Sequence, residues 1–151
     1  AIDVPAYSFK PDHAEERKHL KNYFDDKSTI EDYDATVWKI HQDNKKEFLA
    51  SIDKSDLLMG YFNLADAIGH LSFGITEKMK EVYSELERLA KETIPNSSDF
   101  VLVISDHGMK AVGRYGDHTK NGFYSANKKL GLNLPKITDF YNLMRSLQNA
   151  T

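Results

Sequence analysis

Between Glu31 and Ile52 the apolar residues Tyr33, Val37, Ile40, Phe48 and Ile52 recur at three- or four-residue steps, broken once around the polar Asn44. That spacing predicts an amphipathic helix laid against a flat surface. Leu57 to Phe62 then forms a short, almost unbroken apolar run, which suits a strand covered on both faces. Beyond a mixed stretch from Asn63 to Gly74, the residues Met79, Val82, Tyr83, Leu86, Leu89 and Ala90 line one face of a second helix. Thr76 can cap its start, Glu87 and Lys91 pair four apart on its other face, and Pro95 stops it. Phe100 to Ile104 is again wholly apolar and largely β-branched, the pattern of a central strand.

A strand over 57–62, a helix over 76–94 and a strand over 100–105 make a βαβ unit, whose two strands run parallel through a right-handed crossover. The predicted fold class is therefore α/β, a mostly parallel sheet flanked by helices. The first 30 residues read as an irregular lead-in with a short helix around Ala14 to Tyr23. Asp106 to Gly122 reads as a Gly-rich charged loop and Phe123 to Ala126 as a short strand. A last helix opens near Thr138, with Phe140, Tyr141, Met144 and Leu147 facing inward.

With 151 residues, 40% of them hydrophobic and 28% charged, the chain has the balance of one soluble domain over residues 1–151 with one core. Twenty Lys and Arg against 23 Asp and Glu leave no basic excess for a run of phosphates, so charge-driven nucleic-acid binding is disfavoured. No apolar stretch approaches the roughly 20 residues that cross a bilayer, and the opening residues lack the layout of a secretory signal. Cysteine is absent, which removes disulfides, thiolate metal sites and a Cys nucleophile and points to a cytoplasmic setting. Any metal must be held by His, Asp or Glu.

Loops leaving the carboxyl ends of parallel strands form the crevice where ligands bind. After the first predicted strand come Asp66 and His70; directly after the second come Asp106 and His107; His118 follows in the loop that begins at the same edge. Two carboxylates and three imidazoles on one edge suit a divalent cation, with zinc, manganese and iron all accepting nitrogen and oxygen donors. Gly69 and Gly108 allow the backbone to turn closely around such an ion. Each element alone has a plainer reading: Asp66 as a turn cap, Asp106 and His107 as a polar strand end, His118 as a solvated loop residue. Their joint placement favours a site. His13, His19 and His41 lack such company and are assigned to the surface or to ordinary packing.

Asp66-Ala-Ile-Gly-His70, Ser105-Asp106-His107-Gly108-Met109 and Gly116-Asp117-His118 occur in the order seen in the alkaline phosphatase superfamily. They most resemble its type I phosphodiesterase and nucleotide pyrophosphatase branch. The resemblance implies that Asp66, His70 and His118 bind one divalent metal ion and Asp106 and His107 a second, with zinc the leading ion and manganese or iron the alternatives. It implies metal-dependent hydrolysis of phosphodiester or pyrophosphate bonds in a phosphate-ester or nucleotide substrate, Lys120 and Asn121 being placed to touch a phosphate if their loop folds over the site. Phosphomutases of the superfamily share the scaffold and stand as an alternative. The opening Ile2-Asp-Val-Pro5 also resembles a family segment that follows an internal strand.

One departure is large. Members of the superfamily begin with a strand ending in a further metal-binding Asp, followed by a Thr or Ser nucleophile. No such strand precedes Asp66, and Ser28 and Thr29 lie in a charged stretch. The chain therefore reads as the C-terminal portion of a larger alkaline-phosphatase-like domain, with one metal site complete, the second partial, the nucleophile absent and little turnover expected alone. The competing reading is a non-catalytic metal-binding or self-associating α/β fragment, whose exposed sheet edge pairs copies into a homo-oligomer.

Overall fold

Leu64, Ala67, Ile68 and Leu71 fall at i, i+3, i+4 and i+7, so one turn of chain after another delivers an apolar side chain to the same stripe. In the computed structural model, which describes residues 1–5, 8, 10–94 and 100–148, this stripe belongs to a nine-residue helix in the centre of the fold. The helices run α1 (Asp12–Phe24), α2 (Ile30–Leu49), α3 (Leu64–Ser72), α4 (Thr76–Thr93) and α5 (Asp139–Gln148). Tyr33 and Val37 of α2 and Met79 and Val82 of α4 close over the α3 stripe to form the main core. A smaller cluster joins Ile2, Phe48 and Leu89.

The two long helices predicted from periodicity are present. α2 opens at Ile30, one residue before the predicted start at Glu31, because Thr29 accepts from the Asp32 amide at 3.2 Å while the Asp32 carboxylate accepts from the Thr29 amide at 2.9 Å, a complete capping box; it ends at Leu49, short of Ile52. Thr76 does not cap α4; it is the first helical residue, behind Ile75. The stop assigned to Pro95 lies outside the described residues. In the lead-in, α1 spans slightly more than the short helix expected there. In α5, Phe140 is buried but Tyr141 and Leu147 are exposed, against the inward face predicted for Phe140, Tyr141, Met144 and Leu147.

The parallel sheet is not found. Among the described residues the strands are β1 (Leu102–Ser105), β2 (Gly108–Val112), β3 (Tyr115–Thr119) and β4 (Phe123–Ala126), paired antiparallel as β1 with β4 and β2 with β3. Leu57 to Phe62 forms no strand: a single parallel bridge joins Gly60 to Ile2, through Ile2 N–H to Met59 O at 2.8 Å and Tyr61 N–H to Ile2 O at 3.0 Å. An apolar run becomes a strand only with a partner along its length, and here the partner is one residue long. The second apolar run pairs instead with residues only about twenty positions downstream, which lie on the return arm of a hairpin. The α/β class holds; the crossover does not.

β1 and β4 are the base, and β2 and β3 the tip, of one interrupted antiparallel ribbon. The break falls at Asp106-His107 on one arm and Lys120 to Gly122 on the other. The stretch read as a Gly-rich loop is thus mostly hairpin. Its turn, Gly113-Arg114, has Gly113 at φ +62, the pattern of a type II′ turn. The base ribbon leaves Val103, Ile104 and Phe123 exposed. Among the described residues no helix is long and apolar enough to cross a membrane.

A polar bridge locks α2 to α4. The buried Glu85 carboxylate meets Lys45 Nζ at 3.0 Å, Gln42 Nε2 at 3.2 Å, His41 Nε2 at 3.3 Å and an Arg88 guanidinium nitrogen at 3.1 Å. Burial pushes the His41 imidazole below its ordinary range, against the pull of Glu85, with the nearby Lys45 ammonium adding to the shift; its Nδ1 is buried with no partner among the described residues. A group with a depressed folded pKa contributes fully above its unfolded value, near 6.5 for histidine, and progressively less as pH falls below it. Urea unfolding at pH 7.5 and 5.5 is expected to show a stability loss at the lower pH that shrinks in His41→Gln; an equal loss in both proteins would contradict this.

Candidate metal centre

α3 carries the first two candidate ligands on the side away from the core stripe. Asp66 and His70 are four apart, so both leave the helix in the same direction, with His70 Nε2 3.5 Å from Asp66 Oδ1. Most of the mixed stretch 63–74, for which periodicity predicts no element, is this helix, Leu64–Ser72. The spacing of Leu64, Ala67, Ile68 and Leu71 carried the signal, masked by the apolar run before it.

His118 arrives from β3. In the β2–β3 register Met109 stands opposite His118 and Ala111 opposite Gly116, and cross-strand partners project from the same face. That face turns to α3. The approach is close because two glycines meet across it: a Cβ on Gly116 would lie 2.6 Å from the Gly69 carbonyl oxygen and 2.3 Å from the Met109 sulfur. Gly69 therefore serves close packing inside a helix rather than a turn around an ion. The hairpin is further tied to the end of α3 by Gly74 N–H to Arg114 O at 3.0 Å and Arg114 Nε to Leu71 O at 3.4 Å.

The result is a triangle of donor atoms. His118 Nε2 lies 2.9 Å from Asp66 Oδ1 and 3.1 Å from His70 Nε2. Ligands held tetrahedrally at 2.0–2.2 Å from a zinc ion stand about 3.3–3.6 Å from each other, so these side chains need to part by only a few tenths of an ångström to admit one. Two imidazole nitrogens and a carboxylate oxygen are also the donor chemistry that zinc, manganese and iron accept. The residues fit a divalent cation. All three are partly open to solvent, which leaves a position for a further ligand.

The second pair is less assembled. His107 stacks on His118, with ring centroids 3.7 Å apart, and its Nε2 lies 3.8 Å from Asp66 Oδ1 and 3.7 Å from Asp106 Oδ1. Its Nδ1 lies 3.1 Å from Gly108 O, which, with Nδ1 carrying the proton, leaves Nε2 as the free acceptor. Asp106 borders the cluster with its side chain 79% exposed. Lys120 and Asn121 are exposed in the link between β3 and β4. Asn121 places its carbonyl oxygen 3.0 Å from where a Gly108 Cβ would be, and Gly122 lies against the Ser105 carbonyl, so the two arms of the ribbon touch at the break. Tyr61 borders the same region: burial raises its phenol, and the Asp66 and Asp106 carboxylates add to the shift.

The sequence profile of the type I phosphodiesterase / nucleotide pyrophosphatase family matches residues 2–130. The chain belongs to that family. No curated relative and no solved structure matches it. This phosphodiesterase-family match takes in α1 to α4 and the whole ribbon, and so includes every residue of the centre; among the described elements α5 lies beyond it. Type I phosphodiesterases are alkaline-phosphatase-like hydrolases of phosphate esters and nucleotides, a chemistry typically dependent on metal ions, and the Asp66, His70 and His118 triangle is a candidate metal site in this member.

Proposed function

We propose that Asp66, His70 and His118 hold a divalent cation, zinc foremost, with manganese or iron as alternatives, at a site that hydrolyses phosphodiester or pyrophosphate bonds. The observation that supports it is the convergence of three donor atoms, from α3 and β3, within 3.5 Å of one another. Asp106 and His107 are two ligands of a neighbouring ion, and Lys120 and Asn121 supply donors to a substrate phosphate. The chemistry such a cation would supply, held by Asp66, His70 and His118, is polarisation of phosphoryl oxygens and a lowered pKa for a hydroxyl or water. The residues do the rest: Asp66 supplies negative charge to the ion, while His70 and His118 serve as neutral imidazoles through Nε2.

Thr29 is not a nucleophile in this reading, because its hydroxyl is committed to the α2 cap. We place the nucleophilic Thr or Ser in another stretch of a larger domain, of which this chain is the C-terminal portion. The exposed apolar face of the β1–β4 ribbon favours a second reading for the chain alone, self-association through that edge. One preparation separates the two. Metal analysis, a chromogenic phosphodiester assay and light scattering should find stoichiometric cation with little turnover. Robust turnover would overturn the missing nucleophile, and absence of cation from a folded monomer would overturn the site.

A further inference from the structure

The first turn of α3 breaks a rule that the first turn of α2 obeys. Both helices open with a capping residue followed three positions later by Asp: Thr29 with Asp32, and Asn63 with Asp66. The α2 pair closes a reciprocal capping box. The α3 pair does not, although Asn is among the strongest N-cap residues and Asp66 stands where a box would use it: the Asn63 backbone lies at φ −87, ψ 8, where Thr29 has the extended cap conformation at φ −89, ψ 167. Asn63 makes no side-chain bond to its own helix; its amide Nδ2 donates instead to Glu16 Oε2 of α1 at 2.8 Å. Asp66 is turned the other way, to His118.

Glu16 is itself held by a buried polar chain. His13 Nδ1 lies 3.4 Å from Glu16 Oε2, and His13 Nε2 lies 2.8 Å from Asp3 Oδ2. Asp3, with its side chain fully buried and its backbone in the left-handed region at φ +55, also accepts from Asn44 Nδ2 at 2.6 Å and from the Lys10 amide at 2.9 Å. Charged groups are costly to bury, and an apolar contact between α1 and α3 would hold the helices together as well. What an apolar contact would not do is occupy the Asn63 amide.

We propose that Glu16 and Asn63 are positioning residues: by holding the Asn63 side chain off its helix, and with it the Asn63 backbone out of the extended cap conformation, Glu16 keeps the α3 capping box open and leaves the Asp66 carboxylate free to face the cation. His13 and Asp3 fix Glu16 for that purpose. The inference rests on the cation reading above. It assigns a local cap given up at the helix start for a ligand presented three residues on.

The test uses the whole chain, with Mn²⁺ binding followed by calorimetry and, in the metal-free protein, amide exchange at Asp66. In Glu16→Ala the box closes: exchange at the Asp66 amide slows, thermal stability does not fall, and Mn²⁺ affinity drops by about tenfold or more, the scale of losing an outer-shell partner. Glu16→Gln, whose amide oxygen still accepts from Asn63, retains affinity within about threefold of wild type on the same scale. Asn63→Asp, repelled by Glu16 and free to cap its own helix, gives the Glu16→Ala result without touching α1. Unchanged Mn²⁺ affinity in both Glu16→Ala and Asn63→Asp, or no slowing at the Asp66 amide, overturns the inference. If Asp66→Ala binds Mn²⁺ as tightly as wild type, the cation reading falls and takes the inference with it. If Asp66→Ala loses the ion while Glu16→Ala keeps it, the inference alone falls.

Discussion

His118→Ala is expected to weaken divalent-cation binding by more than the roughly 10–100-fold that loss of an outer-shell partner costs, because it removes a proposed ligand outright. It should leave the fold standing. His118 is the corner of the triangle that meets both other donors, at 2.9 and 3.1 Å, and the only one contributed by the ribbon. Without it, Asp66 and His70 remain as two donors on one helix, too few for a structural or catalytic site of three protein ligands. Its side chain is 45% exposed, so the thermal midpoint should shift little. Calorimetric titration with Zn²⁺ or Mn²⁺, beside thermal unfolding of the metal-free protein, checks both halves. Retained affinity would remove His118 from the site, and collapse of the fold would make it a structural residue.

Which residues meet was legible in the sequence; how the backbone brings them together was not. The grouping of Asp66, His70 and His118 rests on the resemblance of their motifs to those of the alkaline phosphatase superfamily, since the parallel-sheet edge expected to gather the candidates is absent among the described residues. Helices α2 and α4 were legible because an apolar period of 3.6 over 18 or 20 residues is a local signal. Strand partners are not local. The run Phe100 to Ile104 states that it will be a strand, but nothing inside it distinguishes a parallel neighbour from Phe123 to Ala126 on the return arm of a hairpin. The distinguishing signal lay outside, in Gly113-Arg114, a two-residue link of the kind that closes hairpins. Read as a loop, that stretch left the second apolar run without a partner, and Leu57 to Phe62 was recruited in its place.

The helix α3 was missed for a different reason. At nine residues it is short for a helix, and Gly69 lowers its local preference. Its stability is tertiary: Leu64, Ile68 and Leu71 are almost fully buried, and the buried Tyr33 hydroxyl donates to Ala67 O at 3.2 Å. The glycine that weakened the sequence signal is the one that the packing requires.

That requirement differs between the two glycines of the contact, and the difference is measurable. A Cβ on Gly69 would lie 2.5 Å from the Met109 sulfur and 3.1 Å from its methyl carbon, both at the flexible end of a side chain. A Cβ on Gly116 would meet that sulfur at 2.3 Å and also the Gly69 carbonyl oxygen at 2.6 Å, which is backbone inside a helix and cannot swing aside. Gly116→Ala should therefore push the hairpin off α3, costing about 1–3 kcal/mol, the scale of overpacking, and separating His118 from Asp66. Shortening Met109 to Ala should restore most of the cation affinity lost in Gly69→Ala, where only that side chain stands in the way. The same second change should not rescue Gly116→Ala, because the carbonyl clash persists. Denaturant unfolding and cation titration of the single and double variants read the contrast. Equal rescue of both glycine variants would show that the methionine alone, and not the backbone approach of α3 to β3, governs how closely the ligands converge.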